Sequence, residues 1–161
     1  MMRIIPLVKI QGKKISVNFE EIAEKGYTEI YVVDDGEDLN LNLYEEIGGI
    51  FKLWVEPCNT FLDVVDVLIS GASYAVITEK MLSSHLKESM KATDKIAFKY
   101  EGDREKLHIF LEMGGDTVVF KNPNFISEIR VDKKILISEN ITDAKEDIYG
   151  IVVPYEVIRG D

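Results

Sequence analysis

The sequence predicts an α/β protein, a compact (β/α)8 barrel with short helices and loops and an incomplete last helix. Three observations predict it. Short β-rich apolar runs recur about every 20 residues, most are followed by a polar turn and a segment of helical spacing, and the runs are near-continuously apolar, as parallel strands covered on both faces are. Parallel strands need right-handed crossovers and covered faces, which leaves a closed barrel or an open doubly wound sheet. An open sheet protects its edge strands with charge or proline, whereas the eight runs here look equally apolar, and this favours closure. At 161 residues the chain is short for a TIM-like barrel, which ordinarily has at least ~200. Helices and loops must then be near their minimum, and one domain over residues 1–161 is expected.

The elements follow in order. The first strand covers residues 4–10, and Asn18 caps a helix over 19–25 that Gly26 ends. The second strand covers 29–33 and the third 51–55. Thr60 opens a helix over 61–70, where Phe61, Val64, Val65 and Leu68 form an apolar stripe and Gly71 stops the chain. The fourth strand, 74–78, leads to a helix from Ser83 or Ser84 through Met90. The fifth, 95–100, leads to a helix over 104–113 ending at Gly114-Gly115. After the sixth strand, 117–120, the connection over 124–130 has length for about two turns. After the seventh, 134–138, the segment 142–146 has length for barely one, and the eighth strand covers 149–153. The residues after it, 154–161, are too few for a full closing helix. The seam between last and first strands is expected to lie uncovered and to be buried in a homo-oligomer.

Composition excludes several classes. A hydrophobic fraction of 46% with 30% charged residues fits a globular chain, and no apolar run approaches the ~18–20 residues of a spanning helix. The start is too quickly polar for a signal peptide, so a cytoplasmic protein without membrane contact is expected. One cysteine, Cys58, and two histidines, His85 and His108, rule out an internal disulfide and argue against a metal centre, and no cofactor motif is present. A formal charge of −10 repels phosphate backbones, which argues against a nucleic-acid partner.

The opening Ile4-Ile5-Pro6-Leu7-Val8-Lys9-Ile10 resembles the first strand of the ProFAR isomerase and imidazole-glycerol-phosphate synthase cyclase family of histidine biosynthesis. Residues 27–34 are similar to its second strand, and Leu53-Trp54-Val55 with 62–78 to its third and fourth units. A weaker likeness runs through 134–138 to 150–153. The resemblance implies a barrel that binds ribulose-phosphate compounds. It also implies an aldose-to-ketose isomerisation in which an aspartate ending the first strand and another ending the fifth form the acid–base pair. Lys9 stands at the first position and Lys99-Tyr100-Glu101 at the second. An ammonium cannot serve as a carboxylate base of pKa ~4. The family's phosphates rest on glycine-rich turns, but the turn after the third strand reads Glu56-Pro57-Cys58-Asn59-Thr60, and the one after the seventh carries Glu139. Loss of the ancestral isomerisation is therefore expected.

The C-terminal ends of barrel strands form the rim where active sites lie. Lys9, Asp34, Lys99 and Lys121 are the candidate catalytic residues there, and Glu56, Thr78 and Ser138 the candidate substrate-binding ones. Two functional readings stay open. In one, the alternating charges around the rim neutralise one another and the barrel is a non-catalytic binding or assembly protein. In the other, a lysine forms a Schiff base with a small carbonyl or sugar-phosphate substrate while Asp34 or Glu56 moves protons. Lys121, on the sixth strand, sits where barrel aldolases generally place such a lysine. Cys58 reads as a passive thiol and the two histidines as surface or packing residues. Trp54 reads as packing, and Gly114-Gly115 as a helix stop.

Overall fold

A computed structural model describes residues 2–143 and 148–159. Eight parallel strands close into a barrel in chain order, β1 to β8. They are β1 Arg3–Ile10, β2 Glu29–Asp34, β3 Lys52–Cys58, β4 Tyr74–Ile77, β5 Ile96–Tyr100, β6 Thr117–Phe120, β7 Lys133–Ile137 and β8 Gly150–Pro154. The ladder between β1 and β8, with Ile4 opposite Ile151 and Pro6 opposite Val153, removes the last free edge.

Helices α1 Phe19–Glu24, α2 Leu41–Gly48, α3 Phe61–Ile69, α4 Ser83–Ala92 and α5 Arg104–Glu112 follow the first five strands. The expected caps form where a side-chain oxygen was available. Asn18 accepts from the N–H groups of Glu20 and Glu21, and Thr60 from that of Asp63. Helix α2 has no counterpart in the sequence reading. Residues 38–43 alternate polar and apolar like a strand, and Asn40 at its start spends its amide on Asp34 and Gly12 rather than on a cap.

Among the described residues the connections after β6 and β7 hold 3-10 turns, Pro123–Glu128 and Ile141–Asp143, and no α-helix. Of the expected turn over 142–146, residues 144–146 lie outside the described residues, as do Gly160 and Asp161 at the end.

Successive strand residues face opposite sides, which divides the core in two. Ile5, Leu7, Tyr31, Trp54, Val76, Ala97, Val119, Ile135 and Val152 fill the barrel. Their neighbours, among them Val8, Ile30, Val55, Phe98 and Leu136, pack against the helices. Gly115 returns the chain from α5 because a Cβ there would come within 2.5 Å of the Phe110 ring.

The seam is not bare. A one-turn helix, α6 Tyr155–Ile158, lies over β8 and β1, and its buried Tyr155 donates to Glu21 of α1 at 2.8 Å. Ile4 and Val157 are the large apolar side chains still exposed beside it. The expected homo-oligomer thus has less apolar surface to draw on at this seam than an uncovered one would offer. No helix among the described residues is long and apolar enough to cross a membrane.

Candidate functional site

The inward positions nearest the C-terminal strand ends surround a pocket of about 440 Å³, within the usual range of ~300–1,000 Å³ for small-molecule sites. Lys9, Glu56, Lys99, Lys121 and Ser138 line it, together with Asp35 and Glu139. Five of the seven rim residues singled out from sequence are thereby brought together.

Glu56 is central to the arrangement. It is 4% exposed, and it belongs to β3 itself rather than to a turn, which corrects the expectation that it stands on a former phosphate loop. The strand continues through Pro57 and Cys58, with its register to β4 shifting between Val55 and Cys58. One Glu56 oxygen accepts the Lys99 ammonium at 2.7 Å and the other accepts the Tyr31 hydroxyl. Burial first, then the adjacent Glu56 charge, hold the Tyr31 hydroxyl well above its ordinary pKa, so it stays protonated and donates. Glu101 flanks Lys99 at 3.7 Å. Both carboxylate oxygens are thus paired, as a buried charge must be, while the group still lines the pocket.

Lys9 and Lys121 differ from Lys99. Both are exposed at the pocket wall, and among the described residues neither makes an ion pair or hydrogen bond. The Ser138 hydroxyl donates to Asp143 at 2.6 Å and receives the Asn140 N–H at 3.1 Å, which orders the turn after β7.

Asp34 does not join this group. Inward positions on β2 are Glu29, Tyr31 and Val33, so Asp34 faces the helices. It is 1% exposed and accepts from the N–H groups of Gly36 and Asn40, the Asn40 amide at 2.9 Å and the Tyr44 hydroxyl. These contacts organise the loop before α2, and they place the carboxylate away from the pocket where the sequence reading had grouped it. Its neighbour Asp35 reaches the pocket instead. Thr78 also lies off the pocket wall: its hydroxyl donates to Asn59 at 2.5 Å, tying the loop after β3 to the one after β4.

The remaining side chains have local roles. Burial foremost, then Asp63, push the Cys58 thiol far up, leaving it protonated. His85 accepts the Phe61 N–H at 2.9 Å at the start of α3, and His108 pairs with Glu112 on the surface. Trp54 is fully buried inside the barrel. Among the described residues no group of three or more His, Cys, Asp or Glu side chains is placed to hold a metal ion.

No protein-family model matches the sequence, and no curated protein matches it either. Solved structures do. A 4-hydroxy-2-oxoglutarate/2-dehydro-3-deoxyphosphogluconate aldolase from TTHB1 is similar over 98% of this chain and 89% of its own, with a TM-score of 0.70 and 12% identity. A putative phosphonomutase from Burkholderia cenocepacia is similar over 96% and 88%, with a TM-score of 0.61 and 10% identity. A thiamine phosphate pyrophosphorylase from Pyrococcus furiosus is similar over 94% and 86%, with a TM-score of 0.58 and 11% identity. The likeness spans the whole barrel in each case and is one of architecture: this chain has the (β/α)8 fold.

Proposed function

We propose that the mouth of the barrel binds a small carbonyl compound carrying an anionic group, and that Lys121 condenses with its carbonyl. The observation that carries this reading is the contrast between the lysines: Lys99 is held by Glu56, whereas Lys121 lines the pocket with no ion pair among the described residues. In the condensation the Lys121 nitrogen bonds to the carbonyl carbon. The two protons that the amine nitrogen gives up pass to the carbonyl oxygen, which leaves as water, and a C=N bond replaces C=O. Lys9 supplies positive charge for the ligand's carboxylate or phosphate, and Glu56 is the buried carboxylate through which protons exchange. The aldolase neighbour, named for 4-hydroxy-2-oxoglutarate, supports a 2-oxo acid as the first substrate class to try.

Incubation with pyruvate, glyoxylate, 2-oxoglutarate and glyceraldehyde 3-phosphate, followed by borohydride reduction and intact-mass analysis, tests the reading. The expected product is a single adduct mapped to Lys121, gaining yield with pH because the amine form is the nucleophile, and absent from Lys121→Ala.

No adduct on Lys9, Lys99 or Lys121 across that panel would overturn it in favour of a non-catalytic binding or assembly barrel. One observation favours that second reading: the Tyr31–Glu56–Lys99 network closes the centre of the barrel below the mouth. Neither reading retains the isomerisation implied by the histidine-biosynthesis resemblance, since Lys9 and Lys99 stand at the acid–base positions. Complementation of a histidine auxotroph lacking ProFAR isomerase is expected to fail.

A further inference from the structure

The opposite end of the barrel carries a second cluster of charges. Its floor is built from the first residues of the strands: Arg3 on β1, Glu29 on β2, Lys52 on β3, Tyr74 on β4 and Lys133 on β7, with Tyr149 immediately before β8. In a closed ring of eight strands, β3 stands opposite β7 and β4 opposite β8. The hydrogen bonds nevertheless run across the ring. Lys52 donates to the Tyr149 hydroxyl at 3.1 Å and Lys133 to the Tyr74 hydroxyl at 3.0 Å. Both ammonium nitrogens lie 5.3–5.5 Å from the centroids of both tyrosine rings. Two cations from opposite walls are therefore drawn toward the barrel axis, over rings whose faces attract positive charge.

Among the described residues neither lysine has a carboxylate at ion-pair distance, although the charge of Glu29 acts on both through space. Glu29 is the buried carboxylate of the floor, and it is committed to Arg3, to Trp54 at 3.0 Å and to Tyr149 at 2.7 Å. Asp116 acts on Lys133 through space, but its carboxylate accepts the Thr117 hydroxyl at 2.9 Å and makes no ion pair with either lysine. Each ammonium has three donors and spends one on a tyrosine. The Tyr74 hydroxyl accepts from Lys133 and keeps its proton for an acceptor. Below this layer the frame is rigid, because Trp54 is fully buried and stacks on Tyr74 at 4.0 Å and 10°. Converging donors, cations held on rings rather than on carboxylates, and a fixed frame are what an oxyanion requires.

We propose that the floor of the barrel is a second binding site, distinct from the mouth, for a small doubly charged oxyanion held between Lys52 and Lys133 with the Tyr74 hydroxyl as a further donor. The ligand class is phosphate or sulfate, free or as the phosphate of a small organic ester. The site is independent of Lys121 chemistry, since the two faces share no residue.

Calorimetric titration and ³¹P NMR with inorganic phosphate, at ionic strength fixed with sodium chloride, provide the test. Saturable binding is expected, weakened about tenfold or more in Lys52→Met and in Lys133→Met and unchanged in Lys9→Met and in Lys121→Ala, which alter only the mouth. Phosphate is also expected to raise the thermal midpoint where an equal ionic strength of chloride does not. A parallel titration with glycerol 3-phosphate separates the sources: tighter binding assigns the site to an organic phosphate, weaker binding to the free anion. Absence of saturable binding by the unaltered protein up to about 20 mM phosphate overturns the proposal. So does an affinity that survives both lysine substitutions in variants shown to be folded by circular dichroism, or one that falls only in Lys121→Ala.

Discussion

Replacing Lys99 by methionine removes the cation from a buried pair while keeping the length of the side chain. The Lys99 and Glu56 side chains are 11% and 5% exposed and 2.7 Å apart, so the substitution leaves a carboxylate in the barrel with only the Tyr31 hydroxyl for a partner. Breaking a buried pair from one side costs ~3–5 kcal/mol, against ~0–1 kcal/mol for an exposed pair. The pocket above Glu56 admits water, which puts the expected loss at the low end, about 3 kcal/mol. For a chain of this size that is a fall in thermal midpoint of roughly 6–12 °C. Urea denaturation at pH 7 measures the loss directly. One further readout separates the mechanism from general damage. The double variant Lys99→Met/Glu56→Gln is expected to recover most of the loss at pH 7, because a neutral amide still accepts from Tyr31. A single-variant loss below about 1 kcal/mol, with no recovery in the double variant, would mean the pair is solvated like a surface pair, and the network would not be the closed centre described above.

Three other perturbations probe different parts of the fold. Asp34→Ala strands two N–H groups, an amide and the buried Tyr44 hydroxyl, and is expected to cost about 2–4 kcal/mol in urea denaturation while leaving adduct formation at Lys121 intact. Glu29 responds to pH. Burial opposes its ionised form, but hydrogen bonds from Tyr149, Trp54 and Arg3, with the charge of Lys52, outweigh burial and hold its pKa below the ordinary 4.5. Its contribution is present above that value and is lost as pH falls through the lower folded-state value, so Glu29→Gln is expected to flatten the acid limb of the stability profile measured by chemical denaturation. Cys58, fully buried with its thiol protonated, is expected to react with a thiol reagent only at the rate of opening. Rapid stoichiometric modification of the folded protein would contradict its placement behind β3.

The two ends of the barrel divide the ionic work differently. At the mouth, three lysines face carboxylates across a pocket, and one pair is locked while Lys9 and Lys121 stand apart. At the floor, lysines rest on tyrosine rings instead of carboxylates, and the one buried acid is shared among an arginine, an indole and a phenol. Aromatic partners fill the barrel while leaving the charge available, and carboxylate partners consume it.

Much of the architecture was legible in the residues alone. Near-continuous runs such as Tyr31-Val32-Val33 and Thr117-Val118-Val119-Phe120 mark strands covered on both faces, and caps such as Asn18 and Thr60 mark helix starts, because both signals depend on near neighbours in the chain. Helix α2 escaped because its apolar residues alternate over 38–43 and its cap side chain is used elsewhere. The rim residues could be gathered by counting to each strand end, but which of two adjacent side chains enters the barrel depends on strand parity. A one-residue difference turns Asp34 outward and Asp35 toward the pocket. The pairing of Glu56 with Lys99, 43 residues away, and of Lys52 with Tyr149, 97 away, had no local trace. Such contacts are set by closure of the barrel, which brings distant strands onto one axis. The order of strands was therefore a property of the sequence read along its length, and the partners of its charges a property of the ring those strands form.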